Sequence, residues 1–556
     1  MSTSSVPPRR TAAGLPVRLG CVAAGGLALV GLLGAPAHAR PLARAASFGT
    51  LASARTVAPL GTVTRTTGSG ARFVPGPCPR TPDPVPALKD AQCGTLTVPE
   101  NRSESRSEHR AESDRRTITL AVAIVPALSP DPAPDPIVWF AGGPGDDAIG
   151  EAQLAVDGGL NRDRDVIFMS QRGTYTADPA LTCPVIDRFT ARAVGLVYDA
   201  PSTGRLHVKA TRACRNQLAD RGVDLSAYNG TESAADYADL RVALGIPQWN
   251  VYGISYGTDL ALIYLREHPE GIRSVGIDGI LPPSLAGPAM TWSSAKQGFD
   301  SLFSTCAQQP ACAQRYPDLE KTFTGLVRKL EADPVTTYVT VPSRDEPVKV
   351  VLDGGTLVNW LTSATHVAPG VPRSIDELAH GNPQRIAEQW AGGKVSPQAI
   401  GRIAHGLAYG VFCSEWVPYE DPSAVLRAGR RAFPAYPRSV LAQAPQLPFL
   451  ADDCQAWDIP KAPASVREVT RSEVPTLAMS AGFDAQTGAS NGAYVARTLP
   501  NATTVTVPYV AHVAFAASPC AQSIVVSFFD HPHAPDTGCL AGLQPPQFEI
   551  GPPAAP

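Results

Sequence analysis

The sequence predicts an α/β fold with a mostly parallel central sheet and a large, mainly helical insertion before the last strands. Short apolar runs of buried-strand type recur along the chain and alternate with helix-like stretches. A serine stands between two glycines where one such run turns into a helix. Strand signals then thin out over residues 284–473, a stretch too long to be a loop, so we expect a folded insertion there.

The first part of the predicted core, residues 73–283, supplies the strands and the helix that lead to the serine. Buried-strand candidates lie at residues 135–140, 165–169 and 274–277. A helix is predicted over 231–244, because Gly245 and Pro247 follow it as a helix stop. It feeds a β-prone run at 249–252 and then the serine.

Ser255 lies in the pattern Gly253-Ile-Ser255-Tyr-Gly257, which predicts a nucleophile elbow. A strand that turns sharply into a helix strains its central residue, and side chains two positions to either side would clash. The hydroxyl of Ser255 would then stand above the sheet edge. The pattern is weak by itself in a chain with 48 glycines, and an ordinary strand-to-loop turn is the alternative.

The strand at 135–140 runs into Ala141-Gly-Gly143-Pro-Gly145, which has the composition of an oxyanion-hole loop. Glycines let backbone N–H groups approach a substrate oxygen closely. We expect the N–H of Gly143, together with that of Tyr256, to bind the oxyanion. A tight turn without a catalytic role is the alternative.

An acid and a histidine follow the last two strand candidates. Asp484 comes after the run at 475–480, and His512 comes after the run at 503–507. The order Ser255, Asp484, His512 is that of the α/β-hydrolase fold. A turn-forming aspartate and a structural histidine are the alternatives. With these residues a serine can be activated by an imidazole, and the chemistry requires no metal or other cofactor.

Length and charge narrow the class of protein. A chain of 556 residues is too long for one compact core. The net charge of −3 offers no electrostatic basis for binding nucleic acid, so no nucleic-acid partner is expected.

The N-terminus predicts export. Arginines, an apolar run and an Ala-x-Ala site ending at Ala39 indicate a signal peptide over residues 1–39, with a membrane anchor as the alternative. Residues 40–72 are predicted to be a flexible leader. The mature protein is expected to be secreted and extracellular, without a membrane segment.

Ten cysteines remain once Cys21 is removed with the signal, and an even number in an exported chain predicts disulfides. Nearest-neighbour pairing is the simplest proposal, although the sequence leaves the connectivity open. The pairs would be Cys78–Cys93, Cys183–Cys214, Cys306–Cys312, Cys413–Cys454 and Cys520–Cys539.

The insertion at 284–473 lies where a cap would cover the active site, exclude water and limit access. Helices are expected within it at residues 319–330, 374–378 and 397–407. The core resumes over 474–545 with a terminal helix at 521–529, and residues 546–556 form a tail.

Taken together, the motifs resemble those of secreted tripeptidyl aminopeptidase and proline iminopeptidase-like α/β hydrolases with a TAP-like C-terminal region. The matching residues are Cys93-Gly-Thr-Leu-Thr-Val-Pro99, Gly142-Gly-Pro-Gly145, Gln171-Arg-Gly-Thr174, the Ser255 elbow, Gly482-Phe-Asp484 with Thr487, and Leu499-Pro-Asn501 before His512. The resemblance implies an exported serine exopeptidase that removes short N-terminal peptides through an acyl-enzyme on Ser255. It further implies a cap that recognises the free amine.

The resemblance also offers Glu415 as the amine-binding carboxylate, because Cys413-Ser-Glu415 is similar to the Cys-x-acid pattern of the family's cap. A solvated glutamate beside a disulfide is the alternative. The expected partner is a peptide or small ester substrate. An esterase or lactonase with the same triad is the second hypothesis, and a binding protein on a degenerate scaffold is the third.

Overall fold

A mixed central sheet organises the molecule. The computed structural model describes residues 66–105, 116–342 and 344–551, and within these ranges nine strands form the sheet in the order β1-β2-β3-β5-β4-β6-β7-β10-β11. The first three strands are antiparallel to their neighbours, and all pairs from β5 to β11 are parallel. The strands are β1 Arg72–Gly76, β2 Gln92–Pro99, β3 Thr117–Val125, β4 Ile137–Phe140, β5 Val166–Met169, β6 Trp249–Ile254, β7 Ile272–Asp278, β10 Thr476–Ala481 and β11 Ala502–Val507, while β8 Val335–Val339 and β9 Val348–Leu352 form a separate hairpin.

Burial explains why the inner strands can be read from the sequence. Every residue of β4, β5, β6 and β10 is buried, because helices cover both faces of the parallel part of the sheet. Such strands are continuous apolar runs, and each predicted run coincides with a strand. The predicted mostly parallel α/β-hydrolase sheet is confirmed.

Helices flank the sheet and fill the long insertion. In the described ranges they are α1 Arg102–Ser105, α2 Ala152–Asp157, α3 Pro184–Ala193, α4 Pro201–Asp220, α5 Gly230–Leu244, α6 Tyr256–Glu267, α7 Met290–Gln308, α8 Pro310–Arg315, α9 Leu319–Ala332, α10 Gly354–Ala364, α11 Val371–Ala379, α12 Gln384–Gly392, α13 His405–Val411, α14 Ala424–Ala432, α15 Arg438–Leu441, α16 Leu450–Trp457, α17 Ser490–Ala496, α18 Ala514–Ala517 and α19 Pro519–Asp530. Helix α5 ends at Gly245, whose φ of 68° suits a glycine, as the sequence predicted.

One helix prediction is wrong. Residues 397–407 were expected to be helical, but the chain makes only a short turn at Pro397–Ala399 before α13 begins at His405. Gly401 has a φ of +78°, which interrupts the helix. The non-helical stretch brings Ala404 against the loop after β4, where its N–H donates to the carbonyl of Gly145 at 3.0 Å.

Residues between 292 and 441 supply most of a second apolar cluster. Its buried aromatic side chains include Trp292, Phe299 and Phe323. The same cluster contains Phe483 and Ala511, which neighbour Asp484 and His512 in the chain. The segment therefore packs directly on the loops that follow β10 and β11.

Five disulfides join the cysteine pairs 78–93, 183–214, 306–312, 413–454 and 520–539. These are the nearest-neighbour pairs that the sequence analysis proposed. Within the described ranges, no helix combines the length and the apolar character needed to cross a membrane. The predicted signal peptide, most of the predicted leader, Cys21 and the last five residues of the tail lie outside the described residues.

Candidate active site

Ser255 stands at the junction of β6 and α6 with a φ of 52° and a ψ of −124°, a strained conformation for a residue with a side chain. Backbone approach leaves no room for side chains nearby. A Cβ on Gly253 would lie 2.4 Å from the carbonyl oxygen of Gly257, and a Cβ on Gly257 would lie 2.1 Å from that of Phe140. The two glycines are thus required by the steric argument made from the sequence.

His512 links the serine to an acid. Its Nε2 lies 2.8 Å from Ser255 Oγ, and its Nδ1 lies 2.9 Å from Asp484 Oδ2. The three side chains come from the loops after β6, β10 and β11, which end at the same edge of a parallel sheet. The structure therefore brings together three residues that are up to 257 positions apart in the chain.

Asp484 is buried and saturated with hydrogen bonds. Its Oδ1 accepts from the backbone N–H groups of Gln486 and Thr487, each at 2.8 Å, and its Oδ2 accepts from the Thr487 hydroxyl at 2.6 Å. Burial by itself would raise the pKa of Asp484, but His512 and these hydrogen bonds hold it at about 2. The carboxylate therefore stays ionised at any pH at which the protein is expected to work.

The pKa of the His512 imidazole also depends on its interaction with Asp484. Burial by itself would lower the pKa of His512, but the charge and the hydrogen bond of Asp484 raise it above the ordinary 6.5. The Nδ1 proton faces Asp484, which leaves Nε2 free to accept the proton of Ser255. Such an arrangement can activate a hydroxyl as a nucleophile.

Asp278, at the end of β7, positions the turn after His512. Its carboxylate accepts from the N–H of Ala514 at 3.1 Å and from that of Phe515 at 2.8 Å. Burial raises its pKa to about 6. In the sequence, Asp278 directly follows the strand candidate at 274–277, and an acid at that position is the available signal.

The loop after β4 lies against the serine. A Cβ on Gly142 would stand 3.1 Å from Ser255 Cβ, and Gly143 and Gly145 have φ values of +105° and +109° that disfavour other residues. Tyr256 is the first residue of α6, where backbone N–H groups have no partner within the helix. The glycine-rich loop and the first turn of α6 thus both lie next to Ser255.

Glu415 makes its hydrogen bond outside the triad. It is 2% exposed, and its Oε1 accepts from the N–H of Gly230 at 2.8 Å. Its Oε2 is buried and has no hydrogen-bond partner in the described structure. Burial, followed by the charge of Asp259, raises its pKa to about 8. It forms no hydrogen bond or ion pair with the triad in the part of the chain described.

His366 is a residue that the sequence analysis missed. It belongs to the short helical segment Thr365–Gly370, and its Nε2 is buried with no hydrogen-bond partner among the described atoms. Burial and the nearby His512 lower its pKa to about 4. No motif surrounds it, so only the tertiary structure reveals that it belongs to this region. Within the described ranges, no group of three or more His, Cys, Asp or Glu side chains is arranged to hold a metal ion.

The chain is similar to several known proteins. The family model described as alpha/beta hydrolase fold matches residues 135–360, and the model described as TAP-like protein matches residues 441–540. Serine protease Hip1 of Mycobacterium tuberculosis is 24% identical over 386 residues, which cover 64% of this chain and 71% of that protein. A proline iminopeptidase of Neisseria meningitidis is 31% identical over 97 residues, which cover 17% of this chain and 30% of that protein. Among solved structures, the proline iminopeptidase of Mycobacterium smegmatis matches 75% of this chain and 96% of its own with 13% identity and a TM-score of 0.34.

Proposed function

Because this chain is a peptidase-type α/β hydrolase of the tripeptidyl aminopeptidase and proline iminopeptidase type, we propose that it is an exported serine aminopeptidase acting on free N-termini. The observation that carries the proposal is the hydrogen-bonded series from Ser255 through His512 to Asp484, with distances of 2.8 and 2.9 Å.

In the proposed reaction, Ser255 Oγ attacks the carbonyl carbon of the scissile peptide bond while His512 Nε2 takes the hydroxyl proton. The tetrahedral oxyanion is held by the N–H groups of Gly143 and Tyr256, each typically contributing about 3 kcal/mol. The imidazolium then gives its proton to the leaving nitrogen as the C–N bond breaks, which leaves an ester on Ser255. Water, activated by the same imidazole, hydrolyses the ester and restores the hydroxyl.

A free N-terminus is protonated and loses hydration when it enters the site, so an aminopeptidase needs a carboxylate to bind it. Glu415 is one candidate. In support, its Oε2 is buried without a hydrogen-bond partner in the described structure. Against it, Oε1 already accepts from Gly230.

Export is part of the proposal. Five disulfides favour an oxidising compartment. The N-terminal sequence of protein recovered from the culture medium tests export, and a mature chain beginning at residue 40 is expected.

Two measurements test the activity. A fluorophosphonate should label the wild-type protein, and Ser255→Ala should abolish both labelling and hydrolysis while the thermal unfolding temperature stays the same. Mass spectrometry of a free tetrapeptide and its N-acetylated form, incubated in parallel, should show products from the free peptide alone. Equal cleavage of both peptides, with a short ester hydrolysed faster, would favour the esterase or lactonase hypothesis instead.

A further inference from the structure

Among the described residues, one carboxylate after the glycine-rich loop has no hydrogen-bond or ion-pair partner. Asp147 accepts from the N–H and the hydroxyl of Thr176 at 2.6 and 2.7 Å, and Glu151 accepts from the indole N–H of Trp139 at 2.6 Å. These two acids are therefore tied into the structure. The side chain of Asp146, by contrast, has no hydrogen bond or ion pair with any residue in the described ranges.

Asp146 lies beside the nucleophile. The point where a Cβ on Gly142 would stand is 3.1 Å from Ser255 Cβ and 3.7 Å from Asp146 Oδ2. The side chain is half-buried, and the next residue toward the N-terminus, Gly145, accepts a hydrogen bond from the N–H of Ala404 in the segment 284–473. An unpartnered carboxylate among the described residues thus lies close to Ser255, with about the space of one residue between them.

Chain geometry decides which substrate group fits this position. The α-amine of a peptide's first residue lies about 2.5 Å from that residue's carbonyl carbon. In a tripeptide unit the amine lies up to about 7 Å farther from the scissile carbon, because each added residue extends the chain by roughly 3.5 Å. Lys and Arg side chains likewise place their charge several bonds away. The two distances from the Gly142 Cβ position place Asp146 Oδ2 no farther than about 7 Å from Ser255 Cβ, so the amine of a single residue is within its reach.

The charge of Asp146 also favours binding of a protonated amine. Burial and the neighbouring Asp147 raise the pKa of Asp146 to about 6, so the group is ionised at neutral pH. An ionised carboxylate beside the oxyanion hole opposes the negative charge that forms on the substrate oxygen. A bound ammonium group removes that opposition, whereas a neutral substrate does not.

We propose that Asp146 binds the protonated α-amine of the first residue, so that the enzyme releases single N-terminal amino acids. This inference rests on the proposed aminopeptidase function and assigns the amine position within the same site. Asp146 and Glu415 are then competing candidates for the amine, and they differ in the number of residues released.

The test compares kcat/KM on alanine p-nitroanilide, its N-acetylated form and trialanine p-nitroanilide. The proteins are the wild type, Asp146→Asn, Glu415→Gln and the exposed control Asp300→Asn, whose residue pairs with Lys296 on the surface. We expect Asp146→Asn to lower kcat/KM on alanine p-nitroanilide about 10- to 100-fold, as expected for loss of a charged hydrogen bond. Its activity on the acetylated anilide should be unchanged or higher, which a merely structural role would not produce.

Two results would overturn the inference. One is a ratio of free to acetylated activity in Asp146→Asn equal to that of the wild type. The other is that the wild type prefers the tripeptide anilide, and that this preference is lost in Glu415→Gln but kept in Asp146→Asn. The proposed aminopeptidase function would remain valid after either result. If instead the wild type cleaves free and acetylated anilides equally, the aminopeptidase function fails as well, and fluorophosphonate labelling of Ser255 would still identify a hydrolase.

Discussion

Replacement of Asp484 by Asn tests the candidate site most directly. The amide has the size of the carboxylate, but it carries donors on one side. Asp484 faces the backbone N–H groups of Gln486 and Thr487 with one oxygen, and the Thr487 hydroxyl and His512 Nδ1 with the other. Whichever way the amide is turned, its NH2 group meets a donor.

The size of the loss follows from charge and tautomer. His512 and the hydrogen bonds from Thr487 hold the pKa of Asp484 at about 2 despite its burial, so the site stabilises the charged carboxylate that Asn cannot supply. Without an acceptor, Nδ1 of His512 no longer keeps its proton, and the Nε2–H tautomer cannot accept from Ser255. Loss of the correct tautomer brings the total toward about 10⁴-fold in other Ser-His-Asp enzymes.

We therefore expect kcat/KM for a chromogenic anilide to fall by up to about 10⁴-fold in Asp484→Asn. The fluorophosphonate labelling rate should fall in parallel. Asp300→Asn controls for the chemical change on an exposed pair. A folded Asp484→Asn protein that loses less than about tenfold would refute the role assigned to this carboxylate.

Three further predictions concern pH and packing. The acid limb of the kcat/KM profile should lie above pH 6.5, because His512 must be neutral to accept a proton and its pKa is raised; a limb below 6.5 would contradict the coupling to Asp484. Gly257→Ala should lower the thermal unfolding temperature, because its Cβ would lie 2.1 Å from a carbonyl oxygen. Gly392→Ala is the control and should be near neutral, because nothing lies within 4 Å of its Cβ. Equal unfolding temperatures of the two variants would disprove the steric argument. The folded-state pKa of Glu415 is about 8 against an ordinary 4.5, so its contribution to stability falls as pH rises from 4.5 through 8. Glu415→Gln should therefore flatten the decline of Tm over that range. An unchanged slope would argue against a buried neutral carboxyl.

Local patterns were sufficient for much of the fold. Buried parallel strands are mostly apolar runs, so β4, β5, β7 and β10 could be located before the structure was known. Strand β11, at the edge of the sheet, could be located by its period-two alternation. The elbow glycines were predictable for a steric reason that the coordinates reproduce. Strand β1 and the hairpin β8–β9 were missed, because short, partly exposed strands lack so clear a pattern. Strands β2 and β3 were missed as well, although they have 8 and 9 residues and are mostly buried.

The residues of the candidate site also include some that the sequence predicts and some that it does not. Ser255, Asp484 and His512 were each predictable, because each follows a recognisable strand and parallel strands end at one edge of a sheet. Asp146 and His366 were not singled out, since their positions depend on a loop and a cap segment that meet the core only in three dimensions.

The amino-acid sequence alone therefore determined the positions of the parallel strands, the turn at the serine and the three residues of the candidate triad, because each depends on neighbours within a few positions. Only the tertiary structure decided which carboxylates are saturated with hydrogen bonds and which remain available. Hydrogen bonding and desolvation of a side chain depend on atoms from distant segments, such as Thr176 against Asp147 and Gly230 against Glu415.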